Sequence, residues 1–251
     1  MQTLKIEMAL ATPAVRLSLA HWISISLLFS CLVVPISLAD EAELKGTLPA
    51  HYRVTWTEDP SERATISWST LKPADKHFIR YRVKGSSDKE ATLAAETGKY
   101  IGGDENLYFY HAKMKKLKAE TAYEFQIYSD EHKSKVFYFT TAPDDDRPLS
   151  IFSGGDSRTD RKERRRVNEM LAQMVEDSYA NKDPADDLVA LAHGGDYIIK
   201  GSNLEQWTDW MSAYELTIGP DGRMLPIIPA RGNHDGGKIF NDLFGLSLIH
   251  I

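Results

Sequence analysis

From His51 to Thr141 apolar side chains recur at every second position, and beyond the charged, proline-bounded segment Pro143-Asp-Asp-Asp-Arg-Pro148 that period is lost. Period two puts alternate side chains on opposite faces of a strand, whereas a spacing near 3.6 lines one face of a helix. The change at 143–148 therefore predicts two architectures in one chain, joined by a stiff linker. On the first side, Tyr52–Trp56, Ala64–Trp68, Phe78–Val83, Leu107–Tyr110, Tyr123–Tyr128 and Val136–Thr141 are rich in aromatic and β-branched residues and read as strands. Turn-forming pieces such as Asp59-Pro60, Lys84-Gly85-Ser86-Ser87 and Gly102-Gly103-Asp104 separate them. About seven short strands in roughly ninety residues is the pattern of an all-β sandwich, expected over residues 48–142.

On the second side the pattern alternates. Leu149–Phe152 reads as a strand, and Arg161–Asp177 as a helix with Val167, Met170, Leu171, Met174 and Val175 on one face. Leu188–Ala192 is a second strand, a helix carrying Trp207, Trp210, Met211 and Tyr214 follows, and Met224–Ala230 is a third strand. Strand, helix, strand, helix, strand with short turns predicts a parallel α/β layer over 149–251. Ligands of such layers sit beyond the carboxyl ends of the strands.

Three turns stand at those ends: Ser153-Gly-Gly-Asp156-Ser-Arg158, His193-Gly-Gly-Asp196-Tyr197 and Arg231-Gly-Asn233-His234-Asp235. Each sets an oxygen or nitrogen donor directly after a strand, beside glycine that admits close backbone approach. Carboxylates brought together repel unless a positive charge lies between them, and a divalent cation is the usual solution. The chain has one cysteine, Cys31, so neither an internal disulfide nor a cysteine-built metal site is available. Any metal must be held by Asp, Asn, His or Glu. With 30 Lys+Arg against 36 Asp+Glu, nothing marks nucleic acid as the main partner.

The start of the chain reads as an address. Trp22–Ala39 carries no charge, follows Lys5 and Arg16, and ends in Ser37-Leu38-Ala39. This is the pattern of a signal peptide spanning 1–39, which predicts an exported protein, secreted or periplasmic, without a stable membrane span after cleavage. An uncleaved anchor is the alternative.

Asp156, Gly195-Asp196 with Gly201, and Gly232-Asn233-His234-Asp235 together resemble the first half of the calcineurin-like metallophosphoesterase signature. The preceding region resembles the fibronectin type III-like N-terminal domain of purple acid phosphatases. Leu117-Lys-Ala-Glu-Thr121-Ala-Tyr123-Glu-Phe125 is similar to the tyrosine-corner stretch of such domains, and Phe137–Pro143 to their exit into the catalytic domain. The resemblance implies a fibronectin type III-like β-sandwich followed by an α/β metallophosphoesterase domain. It implies a phosphate-ester substrate and two divalent or trivalent metal ions of the Fe, Zn or Mn class. Asp156 would bind the first metal, Asp196 would bridge both, Asn233 would bind the second, and His234 would stabilise the phosphoryl oxygens or protonate the leaving group.

The chain also departs from that pattern. The wider family has Asp-x-His where Asp156-Ser-Arg158 stands, and purple acid phosphatases carry a tyrosine where Ile199 stands. Tyr197, one residue after Asp196, is expected to point to the other side. The downstream lone His and Gly-His-x-His of the family have no counterpart, and His250 sits in no matching motif. The chain is therefore expected to be a fragment, inactive by itself, with an open sheet edge and an uncovered apolar face. A secreted binding or adhesion module with a relic or one-metal α/β part is the competing expectation. The remaining marked residues have plain expectations. The run Arg161–Arg166 is a solvated helix face, Trp56, Trp68, Trp207, Trp210, Met211 and Tyr214 are core, and His193 packs a strand end. Arg158 stands open between a contact to substrate phosphate and a structural ion pair.

Overall fold

The computed structural model of the protein describes residues 44–102, 105–184 and 186–246. The leader expected at 1–39, Cys31 within it, and His250 lie outside the described residues. Among the described residues nine strands form the first region: β1 (Ala50–Thr55), β2 (Ala64–Thr70), β3 (His77–Val83), β4 (Ala91–Ala94), β5 (Glu96–Gly102), β6 (Glu105–Met114), β7 (Ala122–Ser129), β8 (His132–Lys133) and β9 (Phe137–Thr140). After the 143–148 segment come β10 (Ser150–Gly154), α1 (Arg161–Ala180), β11 (Leu188–His193), α2 (Leu204–Tyr214), a 3₁₀ turn at Glu215–Thr217, β12 (Ile227–Pro229) and α3 (Lys238–Phe244). A β-sandwich followed by an α/β layer is the observed order.

The sandwich packs β3, β4, β7, β8 and β9 against a sheet containing β1, β2, β6 and β5. Val54, Trp56, Ile66 and Trp68 from the second sheet meet Ile79, Phe125, Ile127, Phe137 and Phe139 from the first in one buried core. Large buried side chains of this kind each stabilise by about 1.5–3 kcal/mol, and Trp56 and Trp68 lie among them as expected. Tyr123 forms the anticipated corner, its phenol oxygen accepting from the Lys118 amide at 2.8 Å.

The sheet does not stop at the sandwich. Among the described residues its strands run β10-β11-β12-β1-β2-β6-β5, so the parallel strands of the α/β part continue into the antiparallel ones. The joint is the parallel pair β12–β1, where the Trp56 amide donates to the Ile227 carbonyl at 2.9 Å. A second stitch runs from β9, the Tyr138 amide donating to Gly222 O at 3.0 Å and the Met224 amide to Tyr138 O at 2.8 Å. The open edge expected for three parallel strands is thus closed at β12, because β1 offers it a paired backbone. β10 stays an edge strand among the described residues.

The continuous sheet also explains β2, which is buried at all seven positions. Its core face looks into the sandwich, and its other face is covered from the side of α2 and α3. Trp207, Trp210 and Met211 of α2 and Ile239, Phe240, Leu243 and Phe244 of α3 join Tyr100, Leu107 and Phe109 of β5 and β6 in a second core. Leu171 and Val175 of α1 belong to it too, but Val167, Met170 and Met174 are exposed, as are Leu149 just before β10 and Ile151 within it. Only one side of the α1 stripe therefore finds a partner among the described residues. Among the described residues no helix is long and apolar enough to cross a membrane.

Candidate metal centre

β10, β11 and β12 are adjacent and parallel, with Gly154 opposite His193 and His193 opposite Pro229. Their carboxyl ends are level, so the three loops that follow meet at one end of the sheet. Backbone hydrogen bonds hold them together. The Asp156 amide donates to Gly195 O at 2.9 Å, Gly194 N to Gly154 O at 2.7 Å, Ala230 N to His193 O at 2.9 Å and Gly201 N to His234 O at 2.9 Å. Asp160 and Asn203 then cap the two long helices, accepting from the Glu163 and Gln206 amides at 3.1 and 2.9 Å.

Glycine is required where two of these loops touch. A Cβ on Gly232 would lie 2.2 Å from Asp196 Oδ1 and 2.3 Å from Asp196 N. Asp196 itself has φ 57° and Asp156 has φ 55°. Both are left-handed conformations that non-glycine residues adopt at a cost, and they coincide with the two carboxylates predicted as ligands.

The arrangement is organised by a residue that the sequence marked only as part of a motif. Asp235 is fully buried. Its Oδ2 accepts from Asp196 N at 2.7 Å and Gly232 N at 2.8 Å, and its Oδ1 accepts from Tyr197 N at 2.9 Å. It is a brace between the second and third loops. The signal for it was present, since an acid directly after Gly-Asn-His reaches back to amides that a tight loop leaves unpaired.

Asp196 Oδ1 accepts from the His234 amide at 3.0 Å, and its Oδ2 is paired with Arg158 Nη1. The same nitrogen lies 3.1 Å from Asp156 Oδ1. The His234 amide first, and the Arg158 charge as well, hold the Asp196 carboxyl below its usual pKa. Asp156, Asp196 and the 232–235 turn are thus brought together, with a guanidinium between the two carboxylates. Asn233 is exposed on the third loop. His234 donates from Nδ1 to the Ile199 carbonyl at 2.8 Å, which leaves Nε2 as the nitrogen with a lone pair.

His193 is a packing residue, as expected, and also a strut. Its ring stacks on Tyr197 at 3.8 Å, and Nδ1 accepts from the Gly195 amide at 3.2 Å. Nε2 then carries the proton and donates to Ser157 Oγ at 3.0 Å. Burial keeps this imidazole neutral, pushing its pKa down to about 4. Tyr197 points away from the Asp196 carboxylate, fully buried against Trp207, Trp210 and Phe244. The basic run opening α1 needs a correction. Arg164 is buried, pairs with Asp209 and donates to Ser157 O at 3.2 Å, because helical spacing turns it inward toward α2. Beside Arg158 lies a cleft of about 460 Å³, lined also by Arg161, Ile198, Ile199, Gln206 and Asp209.

The donors fit a cation in kind. Two carboxylates and an amide oxygen are hard ligands, suited to divalent or trivalent ions, and the Arg158 guanidinium already takes the position of a positive charge between the carboxylates. They are few in number. Among the described residues no group of three or more His, Cys, Asp or Glu side chains is arranged to hold a metal ion.

Residues 49–141 match the family model of the purple acid phosphatase N-terminal domain. Over 75% of its length the chain shares its fold with the purple acid phosphatase isolated from yellow lupin (Lupinus luteus) seeds, at a TM-score of 0.56 and 14% identity. It shares 77% of its length with PhoD at a TM-score of 0.50 and 11% identity. The chain spans 36% of the lupin chain and 40% of the PhoD chain. No curated protein sequence matches it. The resemblance carried by the tyrosine-corner stretch and the domain exit therefore holds for the sandwich, and the fold of both regions agrees with it.

Proposed function

Starting from a purple acid phosphatase N-terminal domain at residues 49–141, we propose that the protein is an exported, metal-dependent phosphoesterase. The observation that carries this reading is the convergence of Asp156, Asp196 and the Gly232–Asp235 turn at the level ends of three parallel strands, with both aspartates in the left-handed conformation. Asp156, Asp196 and Asn233 are the residues that would hold metal, two ions of the Fe, Zn or Mn class. Bound there, the ions supply neutralisation of the phosphoryl oxygens and activation of water.

The chain's own residues do the rest. The His234 amide and Asp235 fix the Asp196 carboxylate in one orientation. His234 Nε2 is free to face the phosphoryl group or the leaving oxygen, since Nδ1 is committed to Ile199 O. The cleft beside Arg158 offers apolar Ile198 and Ile199 together with Arg161 to the organic part of a phosphate ester. Activity belongs to a protein that completes the ligand set.

The test is hydrolysis of p-nitrophenyl phosphate by the full-length protein and its Asp196→Asn variant. At least a hundredfold loss of kcat/KM is expected, roughly the cost of deleting a group that stabilises transition-state charge. Unchanged activity in the variant would sink the reading. A second reading, a secreted binding module with a relic α/β part, is favoured by the short donor set. It predicts no metal in the purified full-length protein, where the enzyme predicts about two ions per chain.

A further inference from the structure

Arg158 serves carboxylates from two loops with one nitrogen. Nη1 is 3.1 Å from Asp156 Oδ1 and is paired with Asp196 Oδ2 as well. The Asp196 oxygen that it takes is Oδ2, since Oδ1 is held by the His234 amide. A metal shared between the loops needs that same oxygen. Arg158 also lines the adjoining cleft, so space for its side chain exists away from the carboxylates.

We infer that Arg158 is the built-in counter-cation of this site: it holds Asp156 and Asp196 together when no metal is bound, and metal enters by displacing it into the cleft. The inference rests on the metal-holding reading above and goes one step past it. The exchange makes and breaks no covalent bond. The guanidinium leaves with its charge, since arginine does not deprotonate in proteins, and a more highly charged ion takes over the two carboxylate oxygens. Arg158 in this role is a positioning residue, and its removal has opposite effects on the two states: the metal-free site loses its cohesion, and metal loses its competitor.

Titration with Mn²⁺, with the free ion followed by electron paramagnetic resonance, tests this on the full chain and its variants. Arg158→Gln keeps much of the side chain's length without the charge. It is expected to bind Mn²⁺ at least about tenfold more tightly than the unmodified protein, the size of a charge-assisted contact removed from the competition. Without metal its melting temperature should be lower than that of the unmodified chain, and Mn²⁺ should raise it by more than it raises that of the unmodified chain. Adding Asp196→Asn should abolish the gain, which places the bound ion at the carboxylates. Arg158→Lys, which retains the charge but not the planar fork, should fall between and carries the comparison if Arg158→Gln does not fold. Mn²⁺ binding by the unmodified protein that is equal or weaker in Arg158→Gln would overturn this inference and leave the metal reading standing. Absence of Mn²⁺ binding in every form would overturn both.

Discussion

Asp235 holds three backbone amides with two oxygens, and each of those amides belongs to a residue in or beside the candidate site. Replacing it by alanine leaves three N–H groups without their acceptor in a loop that admits little water. An unsatisfied buried donor costs about 1–3 kcal/mol. Asp235→Ala is therefore expected to lose about 3 kcal/mol or more, read as a shift in the urea midpoint at unchanged slope. Asp235→Asn keeps one acceptor and should lose less, and equal losses would show that the carboxylate does not brace the loops. At the same scale, the residue types at the strand exits were legible: Asp156 and Asp196 could be picked out because each follows an apolar strand and a glycine pair. The division of labour was not legible. Asp235 is only a motif member in sequence and is a brace in the fold, while Arg158, left open between a substrate contact and an ion pair, bridges two acids. Both outcomes depend on which loop lies opposite, and that distance is set by the sheet, not by neighbouring residues in sequence.

β1 is the element on which both halves of the molecule depend, since it pairs with β2 in the sandwich and with β12 in the α/β layer. Arg53 in its centre is fully buried. It donates to the His51 carbonyl, to Leu243 O of α3 at 3.0 Å and to Met211 Sδ of α2 at 3.3 Å. Truncation to alanine leaves a cavity and unpaired carbonyls together. Arg53→Ala is expected to cost about 3 kcal/mol or more and to move the unfolding of both regions together, as followed by near-UV circular dichroism and hydrogen exchange. A loss confined to one region would mean that β1 does not couple them. The strand pattern in β1 was readable from its period, but the coupling was not. In β2, Ser67 and Ser69 alternate with Ile66 and Trp68 as in a half-solvated strand. In the fold Ser67 Oγ meets His111 Nδ1 at 2.7 Å, and His111 Nε2 meets the Asp242 carbonyl at 2.7 Å. Period two separates apolar from polar faces, and it cannot separate water from a helix that satisfies the polar one. Two further elements gave too weak a signal: β4 is largely exposed, and α3 has only seven residues. In β5 the pattern is broken by Gly98, whose missing Cβ makes room for the Phe109 ring, 2.1 Å from where that atom would be.

At the scale of the whole molecule, buried titratable groups make stability depend on pH: His51, His111 and Glu215 have partners across the two regions, and His193 is packed within the second. Burial first, and then the Arg53 charge, pushes His51 and His111 down to about 3 from 6.5, and burial alone pushes His193 to about 4. Below pH 6.5 the unfolded chain takes up three protons that the folded chain refuses. Each therefore removes about 1.4 kcal/mol of stability per pH unit as the pH falls. Glu215 acts in the opposite direction. Burial, against the opposing hydrogen bond from the Tyr52 amide, raises it to about 7 from 4.5. Between those values the folded state keeps a proton that the unfolded state has released, so its contribution grows as pH falls. Three groups outweigh one, and the net loss is on the order of 3 kcal/mol per pH unit between pH 6.5 and 4.5. Against a total stability of about 5–15 kcal/mol, that slope is expected to unfold the chain between roughly pH 3.5 and 5. The measurement is the urea midpoint from pH 7.5 to 4.5. Glu215→Gln should steepen the decline by about 1.4 kcal/mol per unit, and His111→Gln should flatten it by the same amount. A midpoint that stays level over this range would mean that the histidines are not held neutral, and hence that the polar face of β2 is open to water instead of sealed by α3.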